Sequence, residues 1–175
     1  MNNIKIKKAV LTSLTLAGLA IGLNAQAAVD PSAVVVWTGK VPTVNAGDSL
    51  LITGLGGSLE AQSGALAPNN DGTFISPSII LEAHVNDGGT ATTPTVGALT
   101  DASWTVKGVD VTYGGSAQTD QEVAVQIDGT DVEVNGTAVA GKSSISLTVS
   151  QSKALTADVG GKNVQAAVTL MATKA

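Results

Sequence analysis

Beyond residue 27, apolar and polar side chains alternate at every second position in many short runs, and glycine-containing turns separate these runs. A period of two places successive side chains on opposite faces of a β-strand, whereas a helix needs a period near 3.6. No stretch after residue 27 keeps apolar residues at helical spacing over three turns. The alternation therefore predicts an all-β fold with strands over 33–38, 49–53, 78–85, 103–106, 109–113, 122–127, 130–134, 143–149 and 164–172.

The turns carry glycine where tight connections require a positive φ angle. These turn sequences are Asp71-Gly72, Asp87-Gly88-Gly89, Gly114-Gly115, Asp128-Gly129, Asn135-Gly136 and Gly160-Gly161. Asp128-Gly129 separates two alternating runs by a very short connection, which predicts a β-hairpin. Residues 90–98, which include Pro94, are predicted to form a loop. Many short strands at this spacing suggest a sandwich or barrel of immunoglobulin-like size.

The first 27 residues have the three-part layout of a secretory signal peptide. Lys5, Lys7 and Lys8 precede the apolar run 9–23, and Ala25-Gln26-Ala27 supplies a small-residue cleavage site. The apolar run is shorter than the roughly 20 residues that a membrane-spanning helix needs. We therefore expect cleavage after Ala27, export, and a mature chain without a membrane span that forms one ordinary domain.

Charge and composition exclude several classes of partner and site. Three of the nine basic residues lie in the signal peptide, which leaves six lysines against fourteen acidic residues and a net charge of −8. An acidic chain without arginine is a poor partner for nucleic acid. The sequence contains no cysteine, so disulfides and thiolate metal sites are excluded. Aromatic residues are scarce, and the core must therefore consist largely of aliphatic side chains.

The start of the mature chain is unusually apolar on one face. Taken every second residue, that face holds Val29, Pro31, Ala33, Val35 and Trp37. Chain termini are normally the least tied-down part of a domain, so an apolar strand at this position needs a partner. Two explanations remain open: a first strand in its own sheet, or a strand that is given to another copy of the chain.

Two parts of the chain resemble a known family. The run Val35-x-Trp37-x-Gly39-x-Val41 resembles the start of mature chaperone–usher fimbrial subunits. The sequences at 122–129, 145–149, 157–159 and 164–172 resemble cysteine-free major subunits of coli-surface-antigen type fimbriae. The resemblance covers about fifteen residues at the mature N-terminus and roughly the last fifty, while the middle of the chain matches no family that we can name.

The resemblance implies an incomplete immunoglobulin-like β-sandwich that lacks its last strand. A periplasmic chaperone, and then the N-terminal extension of another subunit, would complete the sheet by β-strand addition. It implies a signal peptide at 1–27, a donor-strand extension at 28–38 and a pilin domain at 39–175. The donor residues would be Val29, Ala33, Val35 and Trp37, and the chaperone-contacting strand would present Val164, Ala166, Val168, Leu170 and Ala172.

The implied partners are other copies of the chain, related pilus subunits, the chaperone and an outer-membrane usher, with a host receptor as a further candidate. The implied location is an extracellular fimbria that supports adhesion. Two features depart from the family pattern. Many such subunits contain a disulfide, which is absent here, and Lys174 replaces the tyrosine that is often next to last.

No constellation in the sequence predicts catalysis, a cofactor or a metal. His84 is the only histidine, no G-x-S-x-G elbow is present, and we expect His84 to be an ordinary strand residue. The oxygen-rich segments 69–72, 86–89 and 128–131 lack the glutamate that completes an EF-hand, and turn chemistry explains them. Segment 54–57 lacks the lysine and helix of a phosphate-binding loop and is predicted to be a bend or bulge.

Two other functions stay open. A secreted monomeric β-sandwich that binds carbohydrate or protein is the main alternative to a fimbrial subunit. A hydrolase on a β-sandwich is remote, because paired catalytic groups are missing.

Overall fold

The computed structural model describes residues 35–36, 47, 49–90 and 92–175, and it shows an all-β chain. The predicted signal peptide and most of the predicted donor extension lie outside these residues. The strands are β1 (Val35–Val36), β2 (Leu50–Gly54), β3 (Ala65–Leu66), β4 (Phe74–Ile75), β5 (Ile79–Asn86), β6 (Val96–Leu99), β7 (Ala102–Tyr113), β8 (Val123–Ile127), β9 (Thr130–Val132), β10 (Val139–Lys142), β11 (Ser144–Gln151) and β12 (Val164–Lys174).

The described strands form two larger antiparallel sheets and one short pair. The first sheet has the order β2-β5-β11-β8-β9, with β4 paired to β11 and β6 paired to β5. The second sheet has the order β10-β7-β12. Strands β1 and β3 pair separately. Antiparallel sheets commonly bury one face, which is why the sequence alternates.

The two larger sheets share one hydrophobic core. Trp104 and Tyr113 of β7 are its largest fully buried side chains, and most of the rest are aliphatic, as the composition predicts. The Trp104 Nε1–H donates to the Lys142 carbonyl oxygen of β10 at 2.8 Å. Buried indole nitrogens generally need such a partner. The core therefore fixes the β7–β10 edge by packing and by one polar contact.

The hairpin prediction at Asp128-Gly129 is confirmed. Ile127 of β8 pairs with Thr130 of β9, and both turn residues have positive φ angles of 52° and 77°. This pattern matches the two-residue turn that suits the right-handed twist of paired strands. The Asp128 carboxylate also accepts a hydrogen bond of 2.9 Å from the Ser146 amide, which ties the turn to β11.

Two predictions about strand boundaries are wrong. The predicted strands 103–106 and 109–113 are one strand, β7, because β12 pairs along its whole length and a register shift opposite Thr169 and Leu170 accommodates the interruption. The predicted loop 90–98 is wrong from Val96 onward, where β6 pairs with His84 and Asn86 of β5. In both cases pairing with a neighbouring strand determines where the strand begins or ends.

Three short strands, β3, β4 and β10, have no counterpart in the sequence prediction, and β6 falls largely in the segment predicted to be a loop. Each has only two to four residues, which is too short for an alternating pattern to be recognised. Segment 54–57, predicted to be a bend or bulge, contains a short 3-10 turn, Leu55–Gly57. Among the described residues no helix is long and apolar enough to cross a membrane.

Candidate functional site

The longest pairing between described strands joins β12 to β7. Its register runs from Val164 opposite Tyr113 to Lys174 opposite Ala102. The strand prediction for 164–172 is therefore confirmed and the strand extends two residues further. The irregularity between Thr169 and Leu170 has the character of a β-bulge, a feature that bends a strand and increases its local twist.

Strand β12 lies at the edge of its sheet. Within the described part of the chain, β7 is the only strand that pairs with it. The opposite side of β12 therefore offers a row of backbone N–H and C=O groups over 11 residues, a length of about 36 Å. Such an edge is a template for pairing with another strand unless it is short, charged or covered.

The burial of β12 changes along its length. Val164 and Ala166 are 3% and 1% exposed, whereas Val168, Leu170 and Ala172, on the same face, are only partly buried against the core. The five residues that the sequence assigns to a chaperone-contacting strand therefore all face the core. The last three form an incompletely covered apolar row beside the edge of β12 that has no partner among the described strands.

The predicted donor residues fall mostly outside the described residues. Val29, Ala33 and Trp37 lie there, and only Val35 falls in a strand, β1. Val35 pairs with Leu66, and Val36 pairs with Ala65. The backbone of β1 also lies close to β12, although β1 pairs with β3. The role of the donor residues remains a prediction.

A buried ionisable pair on β5 was missed by the sequence reasoning, which treated His84 as isolated. The His84 Nε2 lies 3.1 Å from the Glu82 Oε2, and both residues are buried. His84 holds the pKa of Glu82 below its ordinary value, against the upward effect of burial. A sequence signal existed, because Glu82 and His84 are two apart and share a strand face whose opposite side carries Leu81 and Ala83.

A surface cleft of about 650 Å³ lies where β4 meets the end of β11. Its polar wall includes Asn69, Asp71 and Thr73, and its apolar wall includes Ile75, which is 78% exposed. The Asp71 carboxylate accepts hydrogen bonds from the Thr73 amide and hydroxyl at 3.0 and 2.7 Å, and these bonds lower the pKa of Asp71. The cleft therefore combines a carboxylate with an apolar surface.

The described residues contain no group of three or more histidine, cysteine or acidic side chains that could hold a metal ion. The oxygen-rich segments 69–72, 86–89 and 128–131 each contain a glycine with positive φ, as their interpretation as turns requires. No protein-family model and no curated protein matches this chain.

Proposed function

We propose that this chain is a structural subunit of a bacterial surface fimbria that polymerises by donating a strand from one copy to the sheet of another. The observation that carries the proposal is the 11-residue edge of β12, which pairs with no described strand other than β7. A long strand edge is a template for pairing with another strand unless it is covered. In this proposal the chain is exported through the periplasm and has no enzymatic role.

The apolar row beside the edge supports the same proposal. Val168, Leu170 and Ala172 pack against the core but stay partly exposed, so an added strand with apolar side chains could bury them further. Burial of one aliphatic side chain contributes about 1.5–3 kcal/mol. A donated strand presenting Val29, Ala33, Val35 and Trp37 would thus bind through both backbone pairing and side-chain burial.

The finer fold assignment is part of the proposal. Two antiparallel sheets that share one core support an immunoglobulin-like sandwich that is completed by the added strand. The partners would be further copies of the chain and related pilus subunits, with a chaperone occupying the β12 edge before assembly and an outer-membrane usher at the exit.

The test uses a variant that lacks residues 28–36 and a synthetic peptide of residues 28–38. The full chain should form ladders on unheated gels and fibres in electron micrographs. The deletion variant should form neither, yet it should bind the peptide, and peptide binding should slow hydrogen exchange at β12 amides. A peptide carrying Trp37→Asp is the matched control and should bind more weakly, since a carboxylate replaces the largest apolar donor side chain.

Two results would overturn the proposal. One is a full chain that stays monomeric, stable and fully protected at the β12 edge in the absence of any partner. The other is peptide binding that leaves β12 exchange unchanged while it alters a different part of the molecule.

A secreted module that binds carbohydrate or protein is a second candidate function, which the cleft at Asp71 and Ile75 favours. A carboxylate beside an apolar wall is the kind of surface that can accept sugar hydroxyls and pack against a ring. Under this function, deletion of 28–36 would leave ligand binding unaffected, and Asp71→Asn would abolish it. Under the fimbrial function, Asp71→Asn would leave polymerisation unchanged.

A further inference from the structure

One face of β5 carries three polar residues that are all buried. Glu82, His84 and Asn86 are 8%, 7% and 6% exposed, while Leu81 and Ala83 on the opposite face belong to the core. Buried polar side chains normally have hydrogen-bond partners, and each buried ionisable group needs a physical reason. The partners of Glu82 and His84 come from two segments that contact β5, the 3-10 turn Leu55–Gly57 and strand β6. Asn86 instead donates to the Gly47 carbonyl oxygen at 3.2 Å and accepts from the Thr95 amide at 3.0 Å.

The side chains of Glu82 and His84 link these two segments through a continuous series of contacts. The Gly57 amide donates to the Glu82 Oε2 at 3.0 Å. The same oxygen lies 3.1 Å from the His84 Nε2. On the other side of the ring, the His84 Nδ1 lies 2.8 Å from the Gly97 carbonyl oxygen of β6. The 3-10 turn and β6 are therefore joined through two side chains of β5.

Whether this series of contacts can form depends on the number of protons that Glu82 and His84 carry together. Both ring nitrogens of His84 face oxygen acceptors, but a neutral imidazole carries only one N–H donor. With a carboxylate and a neutral ring, one of the two contacts would bring a lone pair against a lone pair. Both contacts of the ring are hydrogen bonds only when an additional proton is present, as in an imidazolium beside a carboxylate.

We propose that Glu82 and His84 form a proton-dependent latch that holds the 3-10 turn Leu55–Gly57 and β6 against β5, and that loss of one proton with rising pH releases one of these segments. The tautomer of the neutral ring decides which segment is released. If Nδ1 keeps the proton, the unprotonated Nε2 repels the Glu82 Oε2, and the Glu82 carboxylate turns away from the ring and gives up the Gly57 amide. If Nε2 keeps the proton, the contact of Nδ1 with the Gly97 carbonyl oxygen is lost instead. This inference does not depend on the proposed fimbrial function.

The surroundings make the latch a simple two-group system. Strands β2, β4, β6 and β11 and the 3-10 turn carry no aspartate, glutamate, lysine or histidine. Among the described elements that contact β5, and on β5 itself, Glu82 and His84 are therefore the only ionisable groups. His84 is also the only histidine of the chain, and histidine is the side chain that ordinarily titrates between pH 5 and 8. A pH response in this range can therefore be assigned to one residue.

The test is hydrogen exchange measured by NMR on the full chain from about pH 5.5 to about pH 8.5, together with the ring signals of His84. After correction for intrinsic exchange, protection of the Gly57 amide or of the Thr100 amide should fall by about tenfold or more as the ring loses its proton. The Thr100 amide reports on β6 because it donates to the Ala83 carbonyl oxygen at 2.9 Å. The Val149 amide, which donates to the Ser76 hydroxyl at 2.9 Å, is the internal reference and should not change.

Glu82→Gln is the decisive variant, because a glutamine amide can accept from Gly57 and donate to a neutral His84 ring at the same time. Its Gly57 and Thr100 protection should therefore stay constant over the same pH range. If this variant does not fold, His84→Gln removes the titrating ring and should give the same constant profile. A flat profile in the unmodified chain, or an unchanged pH-dependent loss in the variant that folds, would overturn the latch.

Discussion

The Tyr113 hydroxyl donates a hydrogen bond of 2.6 Å to the Gly72 carbonyl oxygen in the buried interior. Tyr113 ends β7, and Gly72 lies in the connection between β3 and β4, so this bond ties the three-stranded sheet to a loop that leads into the larger sheet. Gly72 has φ of 85°, a conformation that favours glycine. The Tyr113 hydroxyl thus helps to hold the loop, together with the Leu155 amide, which donates to the Asp71 carbonyl oxygen at 2.9 Å.

Tyr113→Phe should lower the free energy of unfolding by about 1–3 kcal/mol, because it leaves the buried Gly72 carbonyl without its donor. Urea denaturation should show a lower midpoint at an unchanged m-value. Thr173→Val removes a hydroxyl that makes only a long, exposed hydrogen bond of 3.5 Å to Ser103, and it should change stability by no more than about 0.5 kcal/mol. Equal effects of the two substitutions would contradict the proposed importance of the Tyr113–Gly72 bond.

Tyr113 should also make stability sensitive to strong alkali. Burial raises the pKa of Tyr113 from 10.0 to about 12, with a smaller contribution from the negative charge of Asp71. Because the folded pKa lies above the unfolded value, the contribution is complete below pH 10 and is lost as the pH rises through about 12. Tyr113 is the only tyrosine, so tyrosinate absorbance reports on it directly. Titration of the folded chain near the ordinary value would show that the hydroxyl is accessible.

Glu82 should make stability sensitive to acid. The His84 hydrogen bond holds the pKa of Glu82 below its ordinary value of 4.5. Its contribution is therefore present above pH 4.5 and is lost as the pH falls through the lower folded value. When the urea midpoint is measured as a function of pH, the Glu82→Gln variant should lose less stability in acid than the unmodified chain. Glu122, whose side chain is 61% exposed, is the matched control, and Glu122→Gln should leave the loss of stability in acid unchanged.

Gly129→Ala should destabilise the β8–β9 hairpin through backbone strain alone. Gly129 has φ of 77°, and an added Cβ would meet no atom within 4 Å. The expected loss is about 1–2 kcal/mol, measured by thermal or urea unfolding. Gly108→Ala is the control, since its Cβ would have an ordinary contact with Thr169 at 3.9 Å and no positive φ. If both substitutions have the same effect, the positive φ at Gly129 is not the cause.

Substitutions at two neighbouring residues of β12 should distinguish an effect on assembly from an effect on folding. Leu170 lies in the partly buried row and Met171, on the opposite face, is 40% exposed. Leu170→Lys should prevent ladder formation because a charge would enter the row that an added strand must cover, whereas Met171→Lys should preserve it. Urea unfolding of each single chain separates lost assembly from lost stability. Ladders from a folded Leu170→Lys chain would argue against β12 as the assembly edge.

Local sequence accounts for much of the β-structure. Alternation predicts β5, β8, β11 and β12 to within a few residues, because the side-chain period of a strand is set by the chain itself. The hairpin at Asp128-Gly129 follows from the positive φ angles that these residues tolerate. Short strands such as β3 and β4 escape prediction, since only pairing with β1 and β11 makes them strands.

The sequence by itself therefore determined the class of the fold, the position of its turns and the apolar row of β12. Only the tertiary structure decided that β12 lies at the edge of its sheet among the described strands, that 103–113 is one strand, and that His84 has Glu82 and Gly97 as partners. The physical reason is the range of the interactions. Side-chain periodicity and turn stereochemistry act between adjacent residues, whereas strand order and buried polar contacts join residues that are far apart in the chain and meet only after the sheets have packed.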